Sequence, residues 1–367
     1  MDFCSIGTKA LREAVAPLSS AMLQRREGSN RGSLSFFGPS CNEIAVGGVT
    51  GSALVDRRVE VSGPMGSSEF EKYNRCSSGL WLEFSTNSPV VTVDVVIDNA
   101  IFPDNMSRQA AVGIDVCRWE GDGLAWLDTC IPKTMASPRI STEIRDGRGD
   151  SWRTYRVYAP LFARVRYYLV GIERGFCIAR PSTPFEGKPI LFYGSSVTQG
   201  CAAARPSLSY PSLVGAALCR EVYNFGFSSS AYGEPEIAAA IGALDLDAVV
   251  IEYDHNVEVE ELRRTHETFA RTIRDANRDV PLLLLTRMSG GLSCSESETR
   301  ERVAVVRSTF EKMTCGEDGR IALLEGDAIL PHNGRDRFFA DDRHPNQWGM
   351  ALLADAVSAS LKGMIDG

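Results

Sequence analysis

The chain is short of features that would fix its class at once. It has 367 residues and no run of eighteen apolar ones, so no membrane-spanning helix is expected. Its ten cysteines (Cys4, Cys41, Cys76, Cys117, Cys130, Cys177, Cys201, Cys219, Cys294 and Cys315) never fall as Cys-x-x-Cys. That removes the usual zinc and dithiol readings, and no metal site is expected. Positive charge is in deficit: 39 Lys and Arg against 47 Asp and Glu leave a formal charge of −8. A nucleic acid or an anionic membrane is therefore a poor main partner. Residues 1–25 lack a continuous apolar core and carry Asp2 and Glu13. A cytoplasmic chain with mostly reduced, space-filling cysteines is expected. Histidine is scarce, with only His255, His266, His332 and His344.

What is present reads as an ordinary soluble composition, 44% apolar and 23% charged, sufficient for one or two domains. Residues 1–33 suggest a short helix within Lys9 to Arg26, broken at Pro17, and then a polar stretch. Residues 34–180 carry short alternating runs, such as Leu80 to Phe84, Val90 to Ile97, Thr154 to Tyr158 and Val165 to Ile172. Turn formers such as Asn87-Ser88-Pro89 lie between them, which predicts an antiparallel β-sandwich. Pro181 to Pro189 reads as a linker, because its prolines and Gly187 stop regular structure.

From residue 190 the period lengthens. Strands at Ile190, Glu221 to Asn224, Ala248 to Glu252, Pro281 to Thr286 and Ile321 to Leu324 alternate with helical stretches. The helices run over Ser209 to Arg220, Glu234 to Leu244, Glu258 to Asn277, Ser295 to Met313 and Asn346 to Leu361. Five strands joined by crossovers of this length predict an α/β domain over 190–367 with a parallel sheet in flavodoxin-like order.

The first strand leads into Gly194-Ser195-Ser196-Val197-Thr198-Gln199-Gly200. This turn has neither the lysine of a phosphate-binding loop nor the glycine spacing of a dinucleotide fingerprint, so no cofactor is expected. A serine nucleophile needs a base and an orienting acid. Asp341-Asp342-Arg343-His344 supplies a pair from one turn near the other end of the chain. Ser196 is the candidate nucleophile, His344 the base and Asp341 the acid, with Asp342 as a substitute and His255 as the rival base. His266 is expected on a solvated helical face, and His332 in a turn.

These two blocks, in this order, resemble the first and last blocks of the GDSL/SGNH hydrolases, with Ser195 in the usual aspartate place. The resemblance spans about 187–365. Gly113-Ile114-Asp115-Val116-Cys117 is similar to the Gly-x-Asp-Leu-Tyr signature of a β-domain that precedes some of these enzymes, differing at its last two positions. The resemblance implies a flavodoxin-like serine esterase domain behind a jelly-roll-like sandwich, and a Ser196–His344–Asp341 triad. It also implies oxyanion donors: the Ser196 N–H, the N–H of Ser229 (which stands where the family has glycine) and the Asn256 side chain. Arg287, at the end of the fourth strand, is expected to point to the active edge as a substrate clamp or to lie in a salt bridge. Trp81, Trp119, Trp126 and Trp152 are either core packing or a sugar-stacking face, the former being favoured. Cys201, beside the site, is read as a wall residue.

The leading expectation is a serine ester hydrolase that acts through an acyl-enzyme on a small O-acylated substrate, a sugar ester being one class. An acyltransferase using the same acyl-enzyme, a silent glycan-binding protein and a flavin-binding sheet are the alternatives.

Overall fold

The computed structural model describes residues 34–366 apart from 40, 51–67, 122, 137, 147–150, 183–184, 255, 290–295, 315–318 and 332. The helix expected within Lys9 to Arg26 lies outside the described residues, as do His255 and His332.

The first ten strands are β1 (Leu34–Phe37), β2 (Ala45–Gly47), β3 (Trp81–Thr86), β4 (Val90–Asp98), β5 (Ile114–Glu120), β6 (Gly123–Cys130), β7 (Arg139–Arg145), β8 (Arg153–Tyr158), β9 (Arg164–Glu173) and β10 (Ile178–Ala179). They pair into two antiparallel sheets, in the orders β1-β9-β4-β7 and β10-β3-β8-β5-β6, with β2 beside β3. Val91, Val93, Val95 and Ile97 of β4 alternate into the core between the sheets and meet Leu82, Phe84, Val116, Tyr155 and Val157. Alternation of this kind buries one face of each sheet. The tryptophans divide. Trp81 is buried and packs on Phe185, whereas Trp126 and Trp152 are about half exposed, at 49% and 52%.

The remaining strands are β11 (Ile190–Gly194), β12 (Val222–Gly226), β13 (Ala248–Glu252), β14 (Leu282–Leu285) and β15 (Ile321–Leu324). They form one sheet in the order β12-β11-β13-β14-β15, all parallel. This is the flavodoxin-like order, and its switch point lies between β11 and the strands on either side. The central strands are apolar on both faces because helices cover both. One face packs on the helices Pro235–Gly242 and Val259–Ala276, the other on Tyr210–Leu218 and Gln347–Ile365. No helix among the described residues is long and apolar enough to cross a membrane.

The two sets of strands share their cores. Phe70, from the helix Ser68–Asn74 on the sandwich side, is buried in the α/β core, its ring 4.8 Å from that of Phe227. Cys201 and Ala203 in turn pack into the sandwich core. Polar groups cross as well. Gln199 Nε2 donates to the Leu161 carbonyl (3.1 Å) and Gly48 N to Glu221 Oε1 (2.8 Å). Asp115, the acid of the Gly-x-Asp segment, is fully buried and accepts from Thr129 Oγ1 (2.5 Å) and Ser207 N (2.9 Å). Its chemistry is to fasten β5 to the segment that follows Gly200.

Candidate active site

Strand β11 ends at Gly194, where backbone comes close. A Cβ there would lie 2.2 Å from the Glu252 carbonyl and 2.3 Å from Thr198 Oγ1. The chain then turns into the single helical turn Ser196–Gln199, capped by Ser195 Oγ, which accepts from Val197 N at 3.1 Å. Gly226, at the end of β12, lets that turn lie against the sheet, since a Cβ would meet Gln199 N at 2.1 Å. Two glycines on neighbouring strands thus set the position of Ser196.

Ser196 Oγ lies 2.8 Å from His344 Nε2. His344 Nδ1 lies 2.8 Å from Asp341 Oδ2 and 3.1 Å from Oδ1. The Asp-x-x-His spacing works because the segment folds back on its own backbone: Asp341 Oδ1 accepts from Arg343 N (2.8 Å) and His344 N (2.7 Å). Asn346 then caps the last helix, accepting from Trp348 N and Gly349 N. Partial burial alone would raise the Asp341 pKa. The N–H groups of Arg343 and His344, followed by the His344 ring and the Asn105 amide, outweigh it and bring the pKa down to about 2. Asp342 does not share this position; it stands 4.0 Å from Arg343 Nε.

Ser229 has φ 52, in the left-handed region, and is exposed. A serine stands where the conformation favours glycine. Asn256 Nδ2 donates to the Phe227 carbonyl at 3.1 Å, which ties it to the loop that carries Ser229. An amide nitrogen has two N–H donors, and Phe227 takes one.

Arg287, expected either as a substrate clamp or in a salt bridge, is buried at the end of β14 beside Asp254. It is 4% exposed, its backbone N–H donates to Asp254 Oδ2 at 3.1 Å, and its charge partly offsets the burial that brings that carboxyl up to about 6. His266 differs from the solvated face expected of it. It is buried, stacked on Tyr253 and 3.0 Å from Thr309 Oγ1, and burial lowers its pKa to about 4. Its spacing from Leu262, Phe269 and Ile273 places it on the apolar stripe of its helix, a signal that its charged sequence neighbours obscure.

Two participants, Asn105 and Glu252, were not anticipated. Asn105, from the loop after β4, puts Nδ2 2.7 Å from Asp341 Oδ2 and 2.9 Å from His344 Nδ1. Cys201 Sγ donates to Asn105 Oδ1 at 3.2 Å; burial first of all pushes that thiol up to about 12, which makes it a wall group and not a thiolate. Glu252, at the end of β13, is buried and accepts from Ser195 Oγ (2.9 Å to each oxygen) and Thr198 Oγ1 (2.7 Å). No local pattern marks Asn105. Glu252 is the one acidic residue closing an otherwise apolar strand, which is a faint signal.

A hydroxyl, an imidazole and a carboxylate at the carboxyl edge of a flavodoxin-like sheet have the form of a hydrolase site. Residues 187–362 match the model of the GDSL-like lipase/acylhydrolase family, and residues 64–178 match that of the N-terminus of SGNH-hydrolase-type esterases. The chain belongs to the GDSL/SGNH hydrolase family. Among solved structures it is similar to a GDSL-like lipase from Bacteroides ovatus at 20% identity and TM-score 0.80, covering 91% of this chain and 98% of that one. A salicylyl-acyltransferase from a tetracycline biosynthetic pathway follows at 18% identity and TM-score 0.72, covering 90% and 98%. An acetyl xylan esterase from Butyrivibrio proteoclasticus gives 12% identity and TM-score 0.59, covering 90% and 99%. Identities this low speak for the fold. No curated protein matches the chain by sequence.

Proposed function

We propose that the chain is a serine ester hydrolase working through an acyl-enzyme, with Ser196 as nucleophile, His344 as base and Asp341 as the acid that orients it. The observation that carries this reading is the 2.8 Å approach of Ser196 Oγ to His344 Nε2 while Nδ1 faces an ionised carboxylate. An alkoxide-like oxygen forms only when a base takes the hydroxyl proton during attack. With Nδ1–H held by Asp341, the Nε2 lone pair faces that proton. His344 then returns it to the leaving alcohol, and water clears the acyl group by the same route in reverse. The oxyanion is met by the N–H groups of Ser196 and Ser229 and by Asn256 Nδ2, each donor contributing about 3–4 kcal/mol to the transition state.

A small O-acylated substrate with a carbohydrate-like alcohol is the class we favour. Its support is the likeness to the acetyl xylan esterase and the half-exposed Trp126 and Trp152 on the sandwich. A second reading, acyl transfer to an alcohol or amine acceptor, is favoured by the likeness to the salicylyl-acyltransferase along 90% of the chain. Both readings share the acyl-enzyme. Hydrolysis of p-nitrophenyl acetate and mass spectrometry after a fluorophosphonate test it: wild type should gain one adduct, mapped to the peptide bearing Ser196. Equal turnover by wild type and Ser196→Ala would end the proposal. Adding candidate acceptors and analysing the products separates hydrolysis from transfer.

A further inference from the structure

We infer that Asn105, a residue of the antiparallel sandwich, is a positioning residue that holds the Asp341–His344 pair in its working arrangement from across the boundary between the two β systems. This rests on the reading of Ser196 and His344 given above.

The hydrogen-bond chemistry decides the arrangement. Asp341 Oδ2 lies 2.7 Å from Asn105 Nδ2 and 2.8 Å from His344 Nδ1. An ionised carboxylate only accepts, so both nitrogens must present N–H groups to the same oxygen. The 2.9 Å between Asn105 Nδ2 and His344 Nδ1 follows from that convergence and is not itself a bond. With the proton on Nδ1, the Nε2 lone pair is left for Ser196. The reversed amide would set Asn105 Oδ1 against the carboxylate, two acceptors at hydrogen-bond distance. Cys201 closes the other end, its Sγ–H donating to Oδ1 at 3.2 Å.

The loop that carries Asn105 is tied on both sides. Ile101 N donates to the Phe162 carbonyl (2.8 Å), Met106 N to that of Pro103 (3.1 Å) and Ser107 Oγ to that of Ala204 (3.1 Å). Asp341 is 35% exposed at its side chain, so without the amide water would take that face and the carboxylate would be less firmly aimed at Nδ1. A charge-assisted bond of this kind is stronger than a neutral one.

The test is steady-state hydrolysis of p-nitrophenyl acetate by the full chain across pH. Asn105→Ala should lose about 10- to 100-fold in kcat, with KM held within about twofold. Asn105→Asp, nearly isosteric, should shift the acid limb of kcat/KM upward by about one pH unit, because a second carboxylate favours the imidazolium. Cys201→Ala should lose several-fold in kcat, and Cys201→Ser, which keeps a donor, should recover most of it. Wild-type kcat in Asn105→Ala, or an unmoved acid limb in Asn105→Asp, overturns the inference. Should Asn105→Ala not fold, the isosteric aspartate variant and the Cys201 pair decide alone. Full activity in Ser196→Ala would instead remove the site reading beneath it, and inactivity there with a normal Asn105→Ala would remove only this inference.

Discussion

Ser195 and Glu252 face each other in a site closed to solvent, the serine hydroxyl 2.9 Å from both carboxylate oxygens, one residue before the candidate nucleophile. Thr198 Oγ1 joins Glu252 at 2.7 Å and also meets Tyr210 OH at 2.7 Å. A motif position that resembles an aspartate site is occupied by a hydroxyl, and the acid comes from the neighbouring strand. Burial first, then the nearby Asp254, raises Glu252 to about 8 against the hydrogen bonds from Thr198 and Ser195.

That displaced titration has a measurable sign. Between the ordinary carboxylate range and about pH 8 the folded chain keeps a proton on Glu252 that the unfolded chain releases. Stability is therefore present below that range and lost as pH rises through it. Glu252→Gln, which cannot ionise, should flatten the fall of Tm between pH 5 and 8, where wild type declines. A wild-type Tm–pH slope in the variant refutes this.

Asp341→Asn should lower kcat by about 10³- to 10⁴-fold, since the amide permits the wrong imidazole tautomer, and should also lower Tm at neutral pH, where the carboxylate is ionised. In wild type the Asp341 pKa of about 2 has the opposite sign to that of Glu252: its contribution to stability is full above the ordinary Asp range and is lost as pH falls toward 2. Kinetics at pH 7, with urea melts between pH 2 and 5, check both halves.

Ser229→Gly should keep kcat within about twofold and raise stability by about 0.5–1 kcal/mol, because φ 52 strains a serine and suits glycine. The donor assigned to that position is backbone and survives the change. A tenfold loss of kcat would show instead that the Ser229 hydroxyl takes part.

The ion pair Glu83–Arg156 is buried on the face of its sheet turned away from the core between the sheets, at 2.7 Å, with side chains 2% and 4% exposed. The guanidinium also lies over the rings of Trp81 (4.6 Å), Phe185 (4.8 Å) and Trp119 (5.1 Å). Glu83→Ala should cost about 3–5 kcal/mol, because it strands a buried cation. Denaturant melts measure it, and a loss below 1 kcal/mol would mean that water or a neighbour replaces the acid.

The sheet was legible because its signals are local: apolar runs of up to four, a glycine closing β11 and β12, and helical stretches between them. The candidate triad was legible for a related reason. Asp341 and His344 sit within one turn, and Ser196 follows a strand-ending glycine, so each half carries its own pattern. Asn105 had none; it meets His344 across 239 positions, and only packing of the sandwich onto the turn after Gly200 brings it there. Arg287 was legible in place but not in surroundings, because the end of a strand says where a residue starts and not that it will be buried beside an acid. His266 shows that charged neighbours in sequence do not keep a residue wet when its helical register points to the core.

Phe70 buried among residues of the parallel sheet, and Cys201 among those of the sandwich, mean that neither half can melt without opening the other. Four of the five tryptophans (Trp81, Trp119, Trp126 and Trp152) precede the first parallel strand, so indole emission on heating reports chiefly on the part without the nucleophile. Loss of that emission and loss of ester turnover should nevertheless fall on one curve, as they would for a single cooperative body.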